Sequence, residues 1–237
     1  MTNFSFHTLR LLWTLLFFFL SCCDSSTTTA EKSSFPAKSK TVLKILIVGD
    51  SLTEGYGVSE YEAFPALLQD RLNLELSQST GINYRVINGG ITGSTTSGGL
   101  GRIEWLLRAK PDYLILALGG NDGLRGIPVQ ESKKNLSTII EQAKSSNIPT
   151  MLAGMKMPPN YGIDYTKDFE NMYSEIAETH EIELLPFLLE GVGGNPKMNL
   201  PDGIHPNASG HKVICDLVYT YLSAPLIAIS SKYDQNP

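Results

Sequence analysis

The chain has 237 residues, 42% of them hydrophobic and 18% charged, a balance that suits one globular domain with a sizeable core and excludes a largely disordered chain. Its net charge of −5 argues against nucleic acid as a partner, since neutralising phosphates demands clustered Lys and Arg. Three cysteines give no disulfide framework.

At the front, Arg10 precedes an apolar run over residues 11–20, too short to span a bilayer comfortably and suited to the core of a signal peptide covering residues 1–23. The end of that run, Phe19-Leu20-Ser21-Cys22-Cys23, is similar to a bacterial lipoprotein signal, in which the cysteine after the cut receives lipid. Cys22 and Cys23 are the lipidation candidates, and each breaks the usual pattern once. Phe19 stands three places before Cys22 where Leu is usual, and Cys23 follows a cysteine rather than a small residue. Ordinary secretion and an uncleaved anchor stay open as alternatives. The expected location is the periplasm or a membrane-anchored lipoprotein of a bacterium, with secretion as the alternative. Residues 24–40, rich in Ser, Thr and Lys, read as a flexible tether. Residues 41–225 read as the folded domain and 226–237 as a polar tail.

The run Val42-Leu43-Lys44-Ile45-Leu46-Ile47-Val48 is β-branched and almost wholly apolar, which predicts a buried parallel strand stopping at Gly49-Asp50. Ser51 then lies at a strand's carboxyl end, the rim where open α/β sheets bind ligands. Taken alone, Gly-Asp-Ser is ordinary turn chemistry. A second strand at residues 84–87 leads into the glycine-rich loop Asn88-Gly89-Gly90-Ile91-Thr92-Gly93-Ser94-Thr95-Thr96, and a third at 113–118 leads into Gly119-Gly120-Asn121-Asp122. Further strands at 150–153 and 183–185 alternate with helical patterns at 64–74, 99–108, 131–145, 165–180 and 208–222. That alternation is the mark of a doubly wound α/β sheet.

Near the end of the chain stands Asp202-Gly203-Ile204-His205-Pro206-Asn207. A serine hydroxyl is a weak nucleophile until an imidazole takes its proton, and the imidazole needs a carboxylate to fix its tautomer. Ser51, His205 and Asp202 fill those catalytic roles if the fold joins the two ends. Asp202 precedes His205 by only three residues and Pro206 stiffens the chain immediately beyond it, so one loop can set the carboxylate against one ring nitrogen while the other faces Ser51. Acyl transfer also needs donors fixed where charge develops on the carbonyl oxygen. The N–H groups of Ser51 and Gly93 and the Asn121 amide would form that oxyanion hole. The order Ser, Asp, His is also that of the α/β-hydrolases. Those space Asp and His widely and seat the serine in Gly-x-Ser-x-Gly, and this chain has neither feature.

In order and local context, Ser51, Gly93, Asn121 and His205 make the chain resemble the SGNH family, also called GDSL esterases and lipases. The run Leu118-Gly119-Gly120-Asn121-Asp122-Gly123-Leu124-Arg125-Gly126 and the Asp202 hexapeptide make it most similar to the bacterial thioesterase I, protease I and lysophospholipase subgroup, often labelled arylesterase. The resemblance covers about residues 44–222. It implies a three-layer α/β/α sandwich with a flavodoxin-like parallel sheet, and no metal or organic cofactor. The subgroup carries Asp after the oxyanion glycine where this chain has Ser94; either residue can cap the following helix, and the exchange bears on fine selectivity.

By the same resemblance, the loop Gly123-Leu124-Arg125-Gly126-Ile127-Pro128 is a mobile rim that closes on acyl chains. Its apolar surface and the segment Pro158-Pro159-Asn160-Tyr161-Gly162 suit a linear acyl group better than a sugar. Substrate contact is expected from Asp50, Leu124, Arg125, Ile127, Met157, Pro158 and Tyr161, with bracing of its own turn as the alternative for Asp50. The expected partners are small-molecule esters, thioesters or lysophospholipids of short- to medium-chain acyl groups, met by a monomeric enzyme. His180 and His211 read as solvated or capping groups, with no metal-binding spacing to His205. Cys215 reads as a packed core thiol. A carbohydrate or cell-wall deacetylase on the same chemistry stays open, as does a non-catalytic binder, although the Gly89 loop lacks the Gly-x-Gly-x-x-Gly frame and a P-loop lysine.

Overall fold

The structure, a computed structural model, describes residues 42–233. The expected signal peptide with Cys22 and Cys23, and the expected tether, lie outside the described residues, as do residues 234–237.

The chain enters through β1 (Val42–Gly49), in which Leu43, Ile45, Leu46, Ile47 and Val48 are fully buried. Helices covering both sheet faces explain why the run is continuously apolar rather than alternating. A short helix, α1 (Ser51–Glu54), ends at Gly55 with φ 90°, a left-handed cap that glycine adopts without strain. There follow α2 (Phe64–Glu75), α3 (Ser77–Thr80), β2 (Asn83–Gly90), α4 (Thr96–Leu107), β3 (Tyr113–Ala117), α5 (Gly120–Leu124) and α6 (Val129–Ser145). β4 (Thr150–Ala153), α7 (Ile163–His180), β5 (Glu183–Leu185) and α8 (Ala208–Tyr233) complete the order, with short 3₁₀ turns at Glu60–Glu62 and Pro159–Tyr161.

All five strands pair in parallel in the order β2-β1-β3-β4-β5, the flavodoxin-like arrangement. The step from β1 to β2 runs one way along the sheet and the later steps run the other. Right-handed crossovers therefore place α2 on one face and α4, α6 and α7 on the opposite face. α8 returns to pack on α2, while α6 touches both α4 and α7. Strand order reverses between β1 and β3, so their carboxyl ends open the crevice at which such sheets bind ligands.

Two elements depart from the sequence reading, each for a local reason. β2 runs on through Gly89 and Gly90 instead of yielding to a loop at Asn88, because α1 presses on it: a Cβ at Gly90 would stand 2.2 Å from the Glu54 nitrogen. α8 does not stop at Leu222 but continues past Pro225 to Tyr233, so residues 226–233 are helix rather than polar tail. Leu226 and Ser230 are buried one and two turns beyond Leu222, which extends the apolar face that holds the helix down. Residues Ala208–Ser231 are long and apolar enough to cross a membrane by length and composition, yet Ile214, Val218, Leu222 and Leu226 belong to the domain core.

His211 is neither solvated nor a cap. It is fully buried, stacks on Phe64 with ring centroids 6.3 Å apart, and accepts the Phe64 N–H at Nδ1 over 3.2 Å. Cys215 is buried as expected, and burial pushes its thiol up to about 11, which leaves it unreactive near neutrality.

Burial pushes the His211 imidazole down to about 4. The folded chain holds it neutral while the unfolded chain takes up a proton from about pH 6.5. Its contribution to stability is thus intact above that pH and is lost progressively as pH falls toward 4. Unfolding free energy is expected to fall by up to about 1.4 kcal/mol per pH unit from this group across that window. His211→Asn, whose amide oxygen can still take the Phe64 N–H, should flatten the slope in denaturant titrations at pH 6.5, 5.5 and 4.5.

Candidate active site

Ser51 is set by the way β1 ends. Asp50 caps α1 by accepting the Leu52 N–H at 3.0 Å, so Ser51 becomes the first helical residue, 7% exposed at the crevice rim. From the neighbouring strand, the Asn88 amide donates to the Thr53 carbonyl at 2.9 Å and holds the short helix against β2.

The back loop is built as a small hairpin. Asn199 bridges Pro206 in antiparallel fashion, Leu200 N–H donates to the His205 carbonyl at 2.7 Å, and Asn207 N–H donates to the Met198 carbonyl at 2.9 Å. Gly203, at φ 72°, makes the reversal that an Asp-Gly pair favours. Asn207 then starts α8, its Oδ1 accepting the N–H groups of Ser209 and Gly210.

Asp202 Oδ1 accepts the N–H groups of Ile204 at 2.9 Å and His205 at 3.0 Å, and Oδ2 meets His205 Nδ1 at 2.8 Å. Those backbone donors, followed by the His205 side chain, hold the Asp202 carboxyl down at about 2. It is therefore ionised throughout the neutral range. The far side of the imidazole reaches Ser51: Nε2 lies 3.0 Å from Oγ across 154 residues of sequence. Tyr56 tilts against the same imidazole, ring centroids 4.5 Å apart.

Beside Ser51 stand the two segments that hold Gly93 and Asn121. Ile91 N–H donates to the Gly49 carbonyl at 3.2 Å and Ser94 N–H to the Ile91 carbonyl at 3.0 Å, a turn that brings Gly93 alongside the end of β1. Gly93 has φ 75°, which a side chain would strain. Asn121 Nδ2 donates to Asp50 Oδ2 at 3.3 Å and to the Ser94 carbonyl at 3.2 Å, which ties both segments together. Beneath them, Arg102 grips the Ser94 hydroxyl at 2.6 Å and the carbonyls of Gly49 at 2.7 Å and Gly89 at 3.0 Å. Ser94 therefore serves Arg102, and it is Thr95 that caps α4, its hydroxyl accepting the Gly98 N–H at 3.3 Å. Asp122, also buried, accepts Thr96 N–H at 2.9 Å and the hydroxyls of Thr96 at 2.6 Å and Ser132 at 3.1 Å. It locks the residue after Asn121 to the start of α4.

Asp50, read from sequence as touching substrate, is only 3% exposed and turns its carboxylate to Leu52 N–H and Asn121. Bracing, the alternative reading, is what its geometry allows. Leu124, Arg125 and Ile127 form one rim segment. Arg125 Nη2 donates to the Gly93 carbonyl at 3.0 Å, Tyr161 hydroxyl to the Leu124 carbonyl at 3.2 Å, and Tyr165 hydroxyl to the Ile127 carbonyl at 2.8 Å. Met157 packs on Gly123, where an added Cβ would meet its sulfur at 2.2 Å, and the exposed Pro158 precedes the 3₁₀ turn that carries Tyr161.

Among the described residues no group of three or more His, Cys, Asp or Glu is arranged to hold a metal ion. A cavity of about 570 Å³ lined by Tyr113, Pro149, Ile182 and Pro225 lies at the amino ends of β3, β4 and β5, on the rim opposite Ser51, and holds no candidate residue.

Sequence reasoning missed Tyr56, Asn88 and Arg102. Arg102 sits one helical turn or more past the glycine loop with no motif to mark it, and only the fold aims it back at two strand ends. Tyr56 carried one usable signal, its position directly after the Gly55 cap that terminates the serine's own helix.

A hydroxyl that passes its proton to an imidazole steadied by a carboxylate can attack an acyl carbonyl, and amide donors alongside can hold the charge that results. The class of protein is an ester-cleaving serine hydrolase. Residues 47–213 match the model of the GDSL-like Lipase/Acylhydrolase family, and the chain belongs to that family. It is similar to Esterase TesA of Pseudomonas aeruginosa, 39% identical over 184 residues that span 77% of this chain and 89% of that protein. It is also similar to Thioesterase 1/protease 1/lysophospholipase L1 of Escherichia coli K12, 37% identical over 77% of this chain and 84% of that protein. A solved structure of the psychrotrophic esterase EstA from Pseudoalteromonas sp., inhibited by monoethylphosphonate, superposes with a TM-score of 0.72 at 33% identity, over 77% of this chain and 98% of that one.

Burial raises the Asp50 carboxyl from 3.8 to about 6, against the opposing pull of Leu52 N–H and Asn121. Its contribution to stability is therefore full below about pH 3.8 and lost as pH rises through 6. That group should lower the unfolding free energy by up to about 3 kcal/mol between pH 4 and pH 7, and Asp50→Asn should remove that pH dependence whatever its effect at a single pH. Thermal unfolding of both proteins across that range checks the sign.

Proposed function

We propose that this chain is a serine acylhydrolase cleaving carboxylic esters or thioesters of short- to medium-chain acyl groups, lysophospholipids included, through an acyl-serine intermediate. The observation that carries the reading is the imidazole of His205 standing between Ser51 Oγ at 3.0 Å and Asp202 Oδ2 at 2.8 Å.

Ser51 Oγ attacks the acyl carbon while its proton passes to His205 Nε2. Asp202 holds Nδ1–H and steadies the imidazolium that forms. The oxyanion is held by the N–H groups of Ser51 and Gly93 and by Asn121. The Asn121 amide turns one hydrogen from the Ser94 carbonyl to the oxyanion while Asp50 keeps the other in place. Collapse of the tetrahedral species breaks the bond to the leaving alcohol or thiol, which takes the proton from His205. Water, deprotonated by the same imidazole, then attacks the acyl-serine and frees the acid.

The acyl chain lies along Leu124, Ile127, Met157, Pro158 and Tyr161, with Arg125 tying that rim to the oxyanion glycine. Apolar side chains there and the names of the relatives, an esterase and a thioesterase/lysophospholipase, support the substrate class. Export through residues 1–23, lipid on Cys22 or Cys23, and action as a monomer belong to the same proposal, supported at the N-terminus by Arg10 and the apolar run after it. Intact-mass measurement of the mature protein should show a lipid on one of these cysteines, and an unmodified end beyond Cys23 contradicts the anchor.

Ser51→Ala is expected to lose at least about 10³-fold in kcat across a graded series of p-nitrophenyl esters and acyl thioesters. Asn121→Ala should lower kcat by about 10²- to 10³-fold with KM little changed, since its donor acts on charge present only in the transition state. Near wild-type turnover in the first variant would overturn the nucleophile. Activity confined to acetyl esters would overturn the chain-length reading.

A further inference from the structure

The acyl side of the site is held by α5 and the rim after it, and Tyr56 stands apart from both. It follows the Gly55 cap, donates its backbone N–H to the Ser51 carbonyl at 3.0 Å, and rests its ring against His205 with centroids 4.5 Å apart and planes 41° from parallel. Half of the side chain, 49%, stays exposed. Its segment leans on the hairpin that carries the imidazole: a Cβ at Gly57 would meet Leu200 Cδ1 at 2.4 Å. Tyr56 is thereby fixed from two directions, by the nucleophile's helix and by the loop of the base.

The chemistry says what lies beside that ring. The leaving oxygen or sulfur must come within hydrogen-bond reach of His205 Nε2, because that nitrogen returns the proton as the bond breaks. The next atoms of the leaving group therefore project along whatever flanks the imidazole. Tyr56 sets a large, half-exposed aromatic ring against that imidazole, and aromatic pairs gain beyond their buried area when they stack offset or edge to face.

We propose that Tyr56 is the platform for the leaving group, selecting substrates whose alcohol or thiol part carries an aromatic ring close to the scissile bond. The inference rests on the acylhydrolase reading and assigns to one residue the choice among alcohol and thiol groups that this reading leaves open. Acyl selectivity belongs to the rim after α5, leaving-group selectivity to Tyr56.

The test compares benzyl and ethyl esters of one acyl chain, whose alkoxides are similarly basic and whose acyl-enzymes are identical. Wild type should prefer the benzyl ester in kcat/KM. Tyr56→Ala should lower the benzyl-to-ethyl ratio roughly 2- to 10-fold, and Tyr56→Phe should keep it. The hydrolysis rate of the shared acyl-enzyme, measured after its rapid formation, should not distinguish the two esters in any variant. If Tyr56 only steadied the imidazole, both esters and deacylation would fall together and the ratio would hold, which would overturn the platform. A wild type with no benzyl preference would also overturn it. A wild type that cleaves no ester would sink the acylhydrolase reading itself, and the two failures are thereby told apart.

Discussion

One hydrogen bond, His205 Nε2 to Ser51 Oγ at 3.0 Å, joins the first strand's exit to a hairpin 154 residues later, and every functional statement rests on it. Neither partner could find the other by local propensity. The parallel sheet brings them together: β1 sits inside the strand order, so its carboxyl end faces the crevice where strand order reverses. Each end arrives already shaped, Ser51 by the Asp50 cap and His205 by an aspartate three residues before it. The long-range contact thus has to fix only a distance, because the orientations are settled within a few residues on each side.

Behind that contact lies a buried polar layer that a stability-minded core would not contain. Asp50 is almost wholly enclosed, and among the described residues it has no lysine or arginine bonded to it, only Leu52 N–H and the Asn121 amide. Arg102 directs its guanidinium to three neutral oxygens, from Ser94, Gly49 and Gly89, at the ends of the two strands that border the site. Groups of this kind are costly to bury and are kept where they position something. Here they position the Ser94 carbonyl, the turn at Gly93 and the Asn121 amide. Asp122 extends the layer to the first residues of α4 and α6, so the short α5 that carries Asn121 is tied to two further helices.

The parts of this protein that were legible in sequence are those with short-range causes. Residues 42–48 are apolar without alternation because both faces are covered, and that alone announced a parallel sheet. Ser51, Asp202 and His205 stood out because their chemistry is compressed into short motifs, and Asn121 because it ends a strand beside glycines. The features that stayed hidden have long-range causes. Arg102 acquires its role from strands that precede it by 13 and 53 residues. His211 looked like a surface residue at a helix start until α8 folded onto α2 and buried it. The helical pattern reads as ending at Leu222, yet Leu226 and Ser230 continue the buried face of α8 beyond Pro225. Asp50 reads as a substrate contact or as a brace of its own turn, and as a cap residue it turns its side chain back along the helix it starts.

Activation of Ser51 by His205 is the claim on which the mechanism turns. Reaction with a fluorophosphonate followed by peptide mapping tests it directly. A single adduct on Ser51 is expected in the wild type, with loss of that adduct at the same pH and reagent concentration in His205→Ala. Labelling at another residue, or an undiminished labelling rate without the imidazole, would contradict it.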